Sequence, residues 1–199
     1  HQISVVNAAV ATTQAVAELT LGFMFALVRE IPRADASMKA GQWLKKEFNG
    51  AELFGKTLGI IGFGNIGSTV GKYAQALGMN VLAFDPFRDQ ANIIAQGAEC
   101  VSFDELLSRS DMISIHAPYK EQNHHLINDE AFAKMKDGVF LVDDARGGIV
   151  DEEALLRALE SGKVRGAALD VYEKEPPINW DLVKHPKVIA TPHIGAQTK

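Results

Sequence analysis

Thr57-Leu58-Gly59-Ile60-Ile61 runs directly into Gly62-Phe63-Gly64-Asn65-Ile66-Gly67. The first five residues are a short apolar run whose length and β-branching suit a strand buried on both faces. The next six fit Gly-x-Gly-x-x-Gly. Beyond them Ile66, Val70, Tyr73 and Leu77 recur at helical spacing, and Gly78 stands where a helix commonly ends on a left-handed glycine. Strand, glycine turn and helix in that order predict the opening of a dinucleotide-binding unit. Gly62 permits the tight turn, Gly64 lets a pyrophosphate approach the backbone, and Gly67 lets helix and strand pack closely. The helix N-terminus offers free N–H groups and partial positive charge to the anion.

Working outward, residues 81–84 read as a second strand that ends at Asp85. An acidic residue about 20 positions after the last glycine is what the fingerprint requires for the ribose hydroxyls. A carboxylate there repels a 2′-phosphate and favours NAD over NADP, while nearby Arg88 softens that preference. Gly62, Gly64, Asn65, Ile66, Gly67 and Asp85 are thus candidate cofactor contacts. Ser102-Phe103-Asp104-Glu105 has the pattern of a capping box and opens a short helix. Residues 112–115, 139–142, 167–171 and 188–190 read as further strands, and 151–159 as a helix. About six strands alternate with helices, which predicts an α/β fold: a Rossmann-type doubly wound parallel sheet forming a single domain.

Upstream, Val16, Leu19, Phe23 and Leu27 mark one helical face, and Pro32 begins a short second helix. Residues 39–55 form a surface connection. The expected organisation is one NAD-binding domain over 1–199, with a helical lead-in over 1–50 and a dinucleotide-binding core over 55–199.

The 199 residues carry 20 Lys plus Arg against 25 Asp plus Glu, a net charge of −5. An acidic chain has no global field for nucleic acid or an anionic membrane. Hydrophobic residues make up 47% and charged residues 23%, the balance of a globular domain rather than a disordered one. The most apolar stretch, residues 19–28, is half the length of a membrane span. One cysteine, Cys100, allows no internal disulfide and fits a reducing compartment, hence a cytoplasmic location. The N-terminus lacks the pattern of a secretory signal. His124 and His125 are adjacent, so their side chains diverge on an extended backbone. No ligand pattern joins them, and no metal site is expected.

Three late segments, each just after a strand, carry unusual polar residues: Asp143-Asp144-Ala145-Arg146-Gly147-Gly148, Asp170-Val171-Tyr172-Glu173-Lys174-Glu175-Pro176-Pro177, and Thr191-Pro192-His193-Ile194-Gly195. In doubly wound sheets, ligands bind beyond the carboxyl ends of the strands, so all three fall on the side of the glycine loop. With Val16-Ala17-Glu18-Leu19, Gly55-Lys56-Thr57-Leu58-Gly59-Ile60-Ile61-Gly62, Ala145-Arg146-Gly147-Gly148-Ile149-Val150-Asp151 and Ala168-Leu169-Asp170-Val171-Tyr172, they make the chain resemble the D-isomer-specific 2-hydroxyacid dehydrogenases over nearly its whole length. Within that family it is most similar to the branch that oxidises D-3-phosphoglycerate to 3-phosphohydroxypyruvate in serine biosynthesis.

The resemblance implies that Arg146, Glu175 and His193 are catalytic. Oxidising a 2-hydroxy acid needs a base for the hydroxyl proton while hydride leaves, and histidine serves as base one way and acid the other. Glu175 would orient His193, and Arg146 would grip the substrate carboxylate with its planar fork. The resemblance further implies cofactor contacts from Asp170 at the nicotinamide amide, from His116-Ala117-Pro118 along the adenine side, from Asp144, Ala145 and Arg146 near the nicotinamide ribose, and from His193 and Gly195.

Relatives usually carry Asn and a small residue where this chain has Asp143 and Asp144. Extra negative charge there weakens the hold of Arg146 on an anion unless Asp144 points away. The family has a second, substrate-binding domain that this chain lacks, so the isolated chain is expected to be inactive alone. Family members usually form homodimers through the first helices. Reduction of hydroxypyruvate, glyoxylate or D-lactate, or a non-catalytic NAD-sensing interaction module, remain the alternatives.

Overall fold

The structure, a computed structural model, describes residues 12–198. Seven parallel strands form one sheet in the order β3-β2-β1-β4-β5-β6-β7. They are β1 (Thr57–Ile61), β2 (Asn80–Phe84), β3 (Glu99–Cys100), β4 (Met112–Ile115), β5 (Val139–Asp143), β6 (Val164–Leu169) and β7 (Val188–Ala190). The helices are α1 (Thr13–Val28), α2 (Ile31–Lys39), α3 (Asn65–Ala76), α4 (Gln90–Ile94), α5 (Phe103–Arg109), α6 (Asp129–Lys134), α7 (Glu152–Glu160) and α8 (Trp180–Val183). The expected doubly wound sheet is present, with one strand more than the six read from sequence. The extra strand, β3, is two residues long and too short to show a periodicity.

Strand alternation sends successive side chains to opposite faces. Leu58, Ile60, Met112, Phe140 and Val142 pack with Phe23, Met24 and Leu27 of α1, Val70 and Ala74 of α3, and Ile93 of α4. Ile61, Ile113, Ile115 and Leu141 pack with Leu106 and Leu107 of α5, Phe132 of α6, Leu155 and Leu159 of α7, and Leu182 of α8. Both faces are covered, which explains why the central strands are nearly continuous apolar runs.

Two helix faces differ from the sequence expectation. In α1 the buried positions are Val16, Ala17, Thr20, Phe23, Met24, Leu27 and Val28, while Leu19 lies at the edge of that stripe. In α3 they are Gly67, Val70, Gly71 and Ala74, and Ile66, Tyr73 and Leu77 are only half-buried. The cause is close approach: a Cβ on Gly67 would lie 2.1 Å from the Gly62 carbonyl oxygen. Small residues therefore take the contact line and larger ones flank it. Helix α1 packs on α3, β5 and β6, which builds the lead-in into the same body.

The expected box is formed: Ser102 and Glu105 cap α5 reciprocally. Asp151, expected as the first residue of a helix, instead caps α7 by accepting the N–H groups of Glu153 and Ala154. Among the described residues, no helix is long and apolar enough to cross a membrane.

Candidate functional site

The strand order reverses between β1 and β4, and the loops leaving the strand ends there open a crevice. Gly62 adopts φ 89°, the left-handed region. A Cβ there would also meet the Ala117 backbone nitrogen at 2.7 Å, so this position is closed to other residues. At Gly64 no heavy atom lies within 4 Å of a built Cβ. The backbone is bare and faces open space, and no side chain caps the N-terminus of α3 behind it. An uncapped 12-residue helix behind a bare glycine turn fits a pyrophosphate.

Asp85 closes the loop from the β2 side. Its Oδ2 accepts the Phe63 N–H at 2.9 Å and its Oδ1 accepts the Phe87 N–H at 2.9 Å. A carboxylate has about four acceptor sites, so capacity is left for a ribose diol. Across the crevice, the Lys120 ammonium sits 4.1 Å from the Phe87 ring centroid.

A pocket of about 350 Å³ continues from Ile66 at the start of α3 past His116, Asp144, Arg146 and Asp170 to His193. Thus the residues singled out in the loops after β4, β5, β6 and β7 line one cavity next to the glycine loop. Glu175 borders it through His193, whose Nδ1 lies 2.8 Å from Glu175 Oε2 and 3.0 Å from Oε1. With Nδ1–H donated to the carboxylate, Nε2 keeps the lone pair and is free to exchange a proton.

His193 has φ 56°, an uncommon conformation for a non-glycine residue. Asp170 holds it there. Its carboxylate accepts the Thr191 hydroxyl, the Ile194 N–H at 2.8 Å and the Gly195 N–H at 2.7 Å. Three donors on a fully buried carboxylate leave it one acceptor position. Tyr172 braces the same loop by donating to the Thr191 carbonyl at 3.0 Å. Burial, with the charge of Asp170 next, pushes the Tyr172 phenol up to about 12, so it stays a donor.

Arg146 is tied to neither neighbouring acid. Its guanidinium donates to the Ala145 carbonyl at 2.6 Å. Asp143 is buried and accepts the Ala145 N–H at 3.1 Å. Burial drives its carboxyl well above the ordinary range, and the charges of Asp144 and Glu152 add to that. Asp144 turns away from Arg146. Thr20 of α1 bonds its Oδ2, and its Oδ1 lies 3.3 Å from His116 Nδ1. The two groups are not aligned for a hydrogen bond, and both atoms are buried without one. His116 in turn bonds Ser114 through Nε2 at 2.8 Å. Its side chain is packed inward, and Pro118 beside it remains exposed.

Sequence reading missed Thr20 and Tyr172 as parts of this site. The signal for Thr20 was a polar residue inside an otherwise apolar helical run. The histidine pair does not meet the condition under which its side chains would diverge, an extended backbone. The rings of His124 and His125 do not diverge but stack, with centroids 3.8 Å apart and planes at 25°. His125 adopts φ 50°, which breaks the extended backbone that divergence requires.

A family model described as D-isomer specific 2-hydroxyacid dehydrogenase, NAD binding domain, matches residues 21–195. D-3-phosphoglycerate dehydrogenase of Bacillus subtilis is 48% identical over 199 residues, which cover 100% of this chain and 38% of that protein. Hydroxypyruvate reductase of Thermotoga maritima is 50% identical, covering 98% of this chain and 64% of that protein. Among solved structures, a glyoxylate reductase from Paecilomyes thermophila superposes with a TM-score of 0.89 at 41% identity, covering 95% of this chain and 57% of that one. D-lactate dehydrogenase from Aquifex aeolicus, complexed with NAD and lactic acid, gives 0.88 at 37% identity, covering 95% and 62%. The chain spans less than two thirds of the length of each of these relatives.

Proposed function

Because this chain belongs to the D-isomer specific 2-hydroxyacid dehydrogenase family, as its NAD-binding domain, we propose that it carries the cofactor and acid–base half of an NAD-dependent oxidoreductase. The substrate is a D-2-hydroxy acid, with D-3-phosphoglycerate oxidised to 3-phosphohydroxypyruvate as the leading reaction. The observation that carries this reading is the Glu175–His193 pair, at 2.8 Å, beside a pocket that also holds Arg146 and begins at the glycine loop.

Bound NAD would supply the hydride acceptor. Gly62, Gly64, Asn65, Ile66 and Gly67 would hold its pyrophosphate, and Asp85 its adenosine ribose. Pro118 and the backbone of His116 would flank the adenine side. The backbone of Asp144 and Ala145, with Asp170 and Gly195, would border the nicotinamide half. His193 Nε2 takes the hydroxyl proton of the substrate as the carbonyl forms, and returns it in the reverse direction. Glu175 fixes the imidazole orientation and stabilises the imidazolium. Arg146, which has no acidic partner among the described residues, grips the substrate carboxylate.

Similarity to the hydroxypyruvate reductase at 50% identity supports a second reading, reduction of hydroxypyruvate or a related 2-oxo acid. We further place the protein in the cytoplasm, as its single cysteine suggests. A homodimer through the lead-in fits Phe25 of α1 and the 77% exposed Trp43. The test is calorimetric titration with NADH and NADPH, then NADH oxidation with phosphohydroxypyruvate, hydroxypyruvate, glyoxylate and pyruvate in turn. NADH binding with turnover of one acid names the substrate. NADH binding without turnover leaves the chain as the cofactor half alone. Absence of NADH binding overturns the reading.

A further inference from the structure

The same sheet edge carries a second polar cluster, outside the pocket and unused by the chemistry above. His125, in the loop between β4 and α6, places Nε2 2.6 Å from Glu173 Oε1 and Nδ1 3.7 Å from Asp151 Oδ2. Its own N–H donates to the Gly148 carbonyl at 2.8 Å. Glu173 lies in the turn that carries Glu175. That turn is gripped on two further sides. The Glu173 N–H donates to Glu152 Oε1 at 2.8 Å, at the start of α7. Gly147 presses against it so closely that a Cβ would lie 1.7 Å from the Tyr172 carbonyl oxygen.

We infer that His125 is a positioning residue for the Glu175–His193 pair: by bridging from its own loop to Glu173 through Nε2–H it fixes the turn that presents Glu175 to His193. The inference rests on the acid–base reading of that pair. Without His125, Glu173 loses that donor and is left beside the acidic N-terminus of α7, where Asp151, Glu152 and Glu153 stand. The crowding is visible at Glu152, whose carboxyl is pushed up by burial first and then by Glu173, Glu153 and Asp151. Repulsion of Glu173 moves the turn outward, and Glu175 moves with it. His124 stacks on the His125 ring and Tyr119 OH approaches His124 Nδ1 at 3.4 Å, which limits the ring's freedom to leave the bridge.

The test is nitrogen-15 NMR of the histidines in the 199-residue chain, at alkaline pH where imidazoles are neutral. The signature is the tautomer of His193, which is Nδ1–H while Glu175 is in place. Glu175→Ala sets the reference for a lost pair. His125→Asn, which suits the left-handed backbone, is expected to shift His193 toward Nε2–H in the same direction, and so is Glu173→Ala, which removes the anchor itself. The double variant is expected to shift it no further than the larger single change. If Glu175→Ala moves the signature but His125→Asn and Glu173→Ala leave it in place, the positioning role is wrong and the pair stands. If Glu175→Ala itself changes nothing, the acid–base pair is the part that fails, and the positioning role falls with it. Should His125→Asn not fold, Glu173→Ala decides alone.

Discussion

The Phe63 N–H, in the glycine turn, donates to Asp85 Oδ2 at 2.9 Å. One carboxylate thus ties the turn after β1 to the end of β2 and still offers acceptor capacity to a ribose. Asp85→Ala removes both functions. Hydrogen bonds to a charged acceptor are worth about 1.5–3 kcal/mol, so NADH affinity is expected to fall by roughly 10- to 100-fold. NADPH affinity is expected to fall less, because the repulsion of a 2′-phosphate goes too. Paired calorimetric titrations measure both, and unchanged NADH binding contradicts the assignment.

Gly67→Ala tests the packing beneath the turn. The added Cβ would lie 2.1 Å from the Gly62 carbonyl oxygen and 3.1 Å from Ile60 Cγ2. Backbone oxygen cannot rotate aside as a side chain does, so α3 must lift from β1. Overpacking of this kind costs about 1–3 kcal/mol, and a fall in Tm of roughly 5–10 °C is expected. A wild-type Tm with intact NADH binding rules out the close contact.

Much of this site was legible because its signals are local. A strand, a glycine turn and a helix occupy 57–77 in unbroken order, and the box at Ser102 needs only four residues. What was not legible depends on distance in the chain. Asp144 next to Arg146 reads as a threat to anion binding. It is turned away by Thr20, 124 positions earlier. The stacking of His124 on His125 depends on one left-handed backbone angle that nothing in the local sequence marks. The true buried face of α3 was hidden because close approach selects Gly67 and Gly71 over larger apolar neighbours, which hydrophobic periodicity discounts.

Thr20→Val tests the long-range contact. The substitution keeps the shape of a fully buried side chain and removes its hydroxyl. Asp144 Oδ2 then loses its hydroxyl partner in a site closed to solvent. A cost of about 1–3 kcal/mol in urea unfolding is expected. If the loss is within error of zero, the contact is incidental.

Asp143 makes stability depend on pH in a stated direction. Burial raises its folded-state carboxyl above the ordinary value of 3.8, so between the two values the native state binds more protons than the unfolded chain. Its contribution is most favourable below the unfolded value and is lost as pH rises through the folded one. Glu152, also raised chiefly by burial, slopes the same way. Asp143→Asn keeps an oxygen for the Ala145 N–H and removes the titration. Urea unfolding from pH 4 to 8 is expected to show a smaller fall in stability for the variant, with the slope due to Glu152 remaining, and a gain over wild type at the upper end. Parallel profiles would mean that the carboxyl stays solvated.

The Glu175–His193 pair divides binding from chemistry. Neither side chain supports the glycine turn or Asp85, so His193→Ala and Glu175→Ala are expected to bind NADH within about threefold of wild type, below 1 kcal/mol. In whichever form of the protein turns over a 2-hydroxy acid, His193→Ala removes the proton acceptor, and kcat is expected to fall by about 10²–10⁴. Glu175→Ala leaves the imidazole but frees its orientation and withdraws the charge that stabilises the imidazolium. Its loss is expected to be smaller, and it should fall on kcat rather than on cofactor affinity. Steady-state kinetics beside NADH titration separates the two. Retained turnover in His193→Ala would remove histidine from the proton transfer, and a loss of NADH binding in either variant would make the pair part of the cofactor site instead.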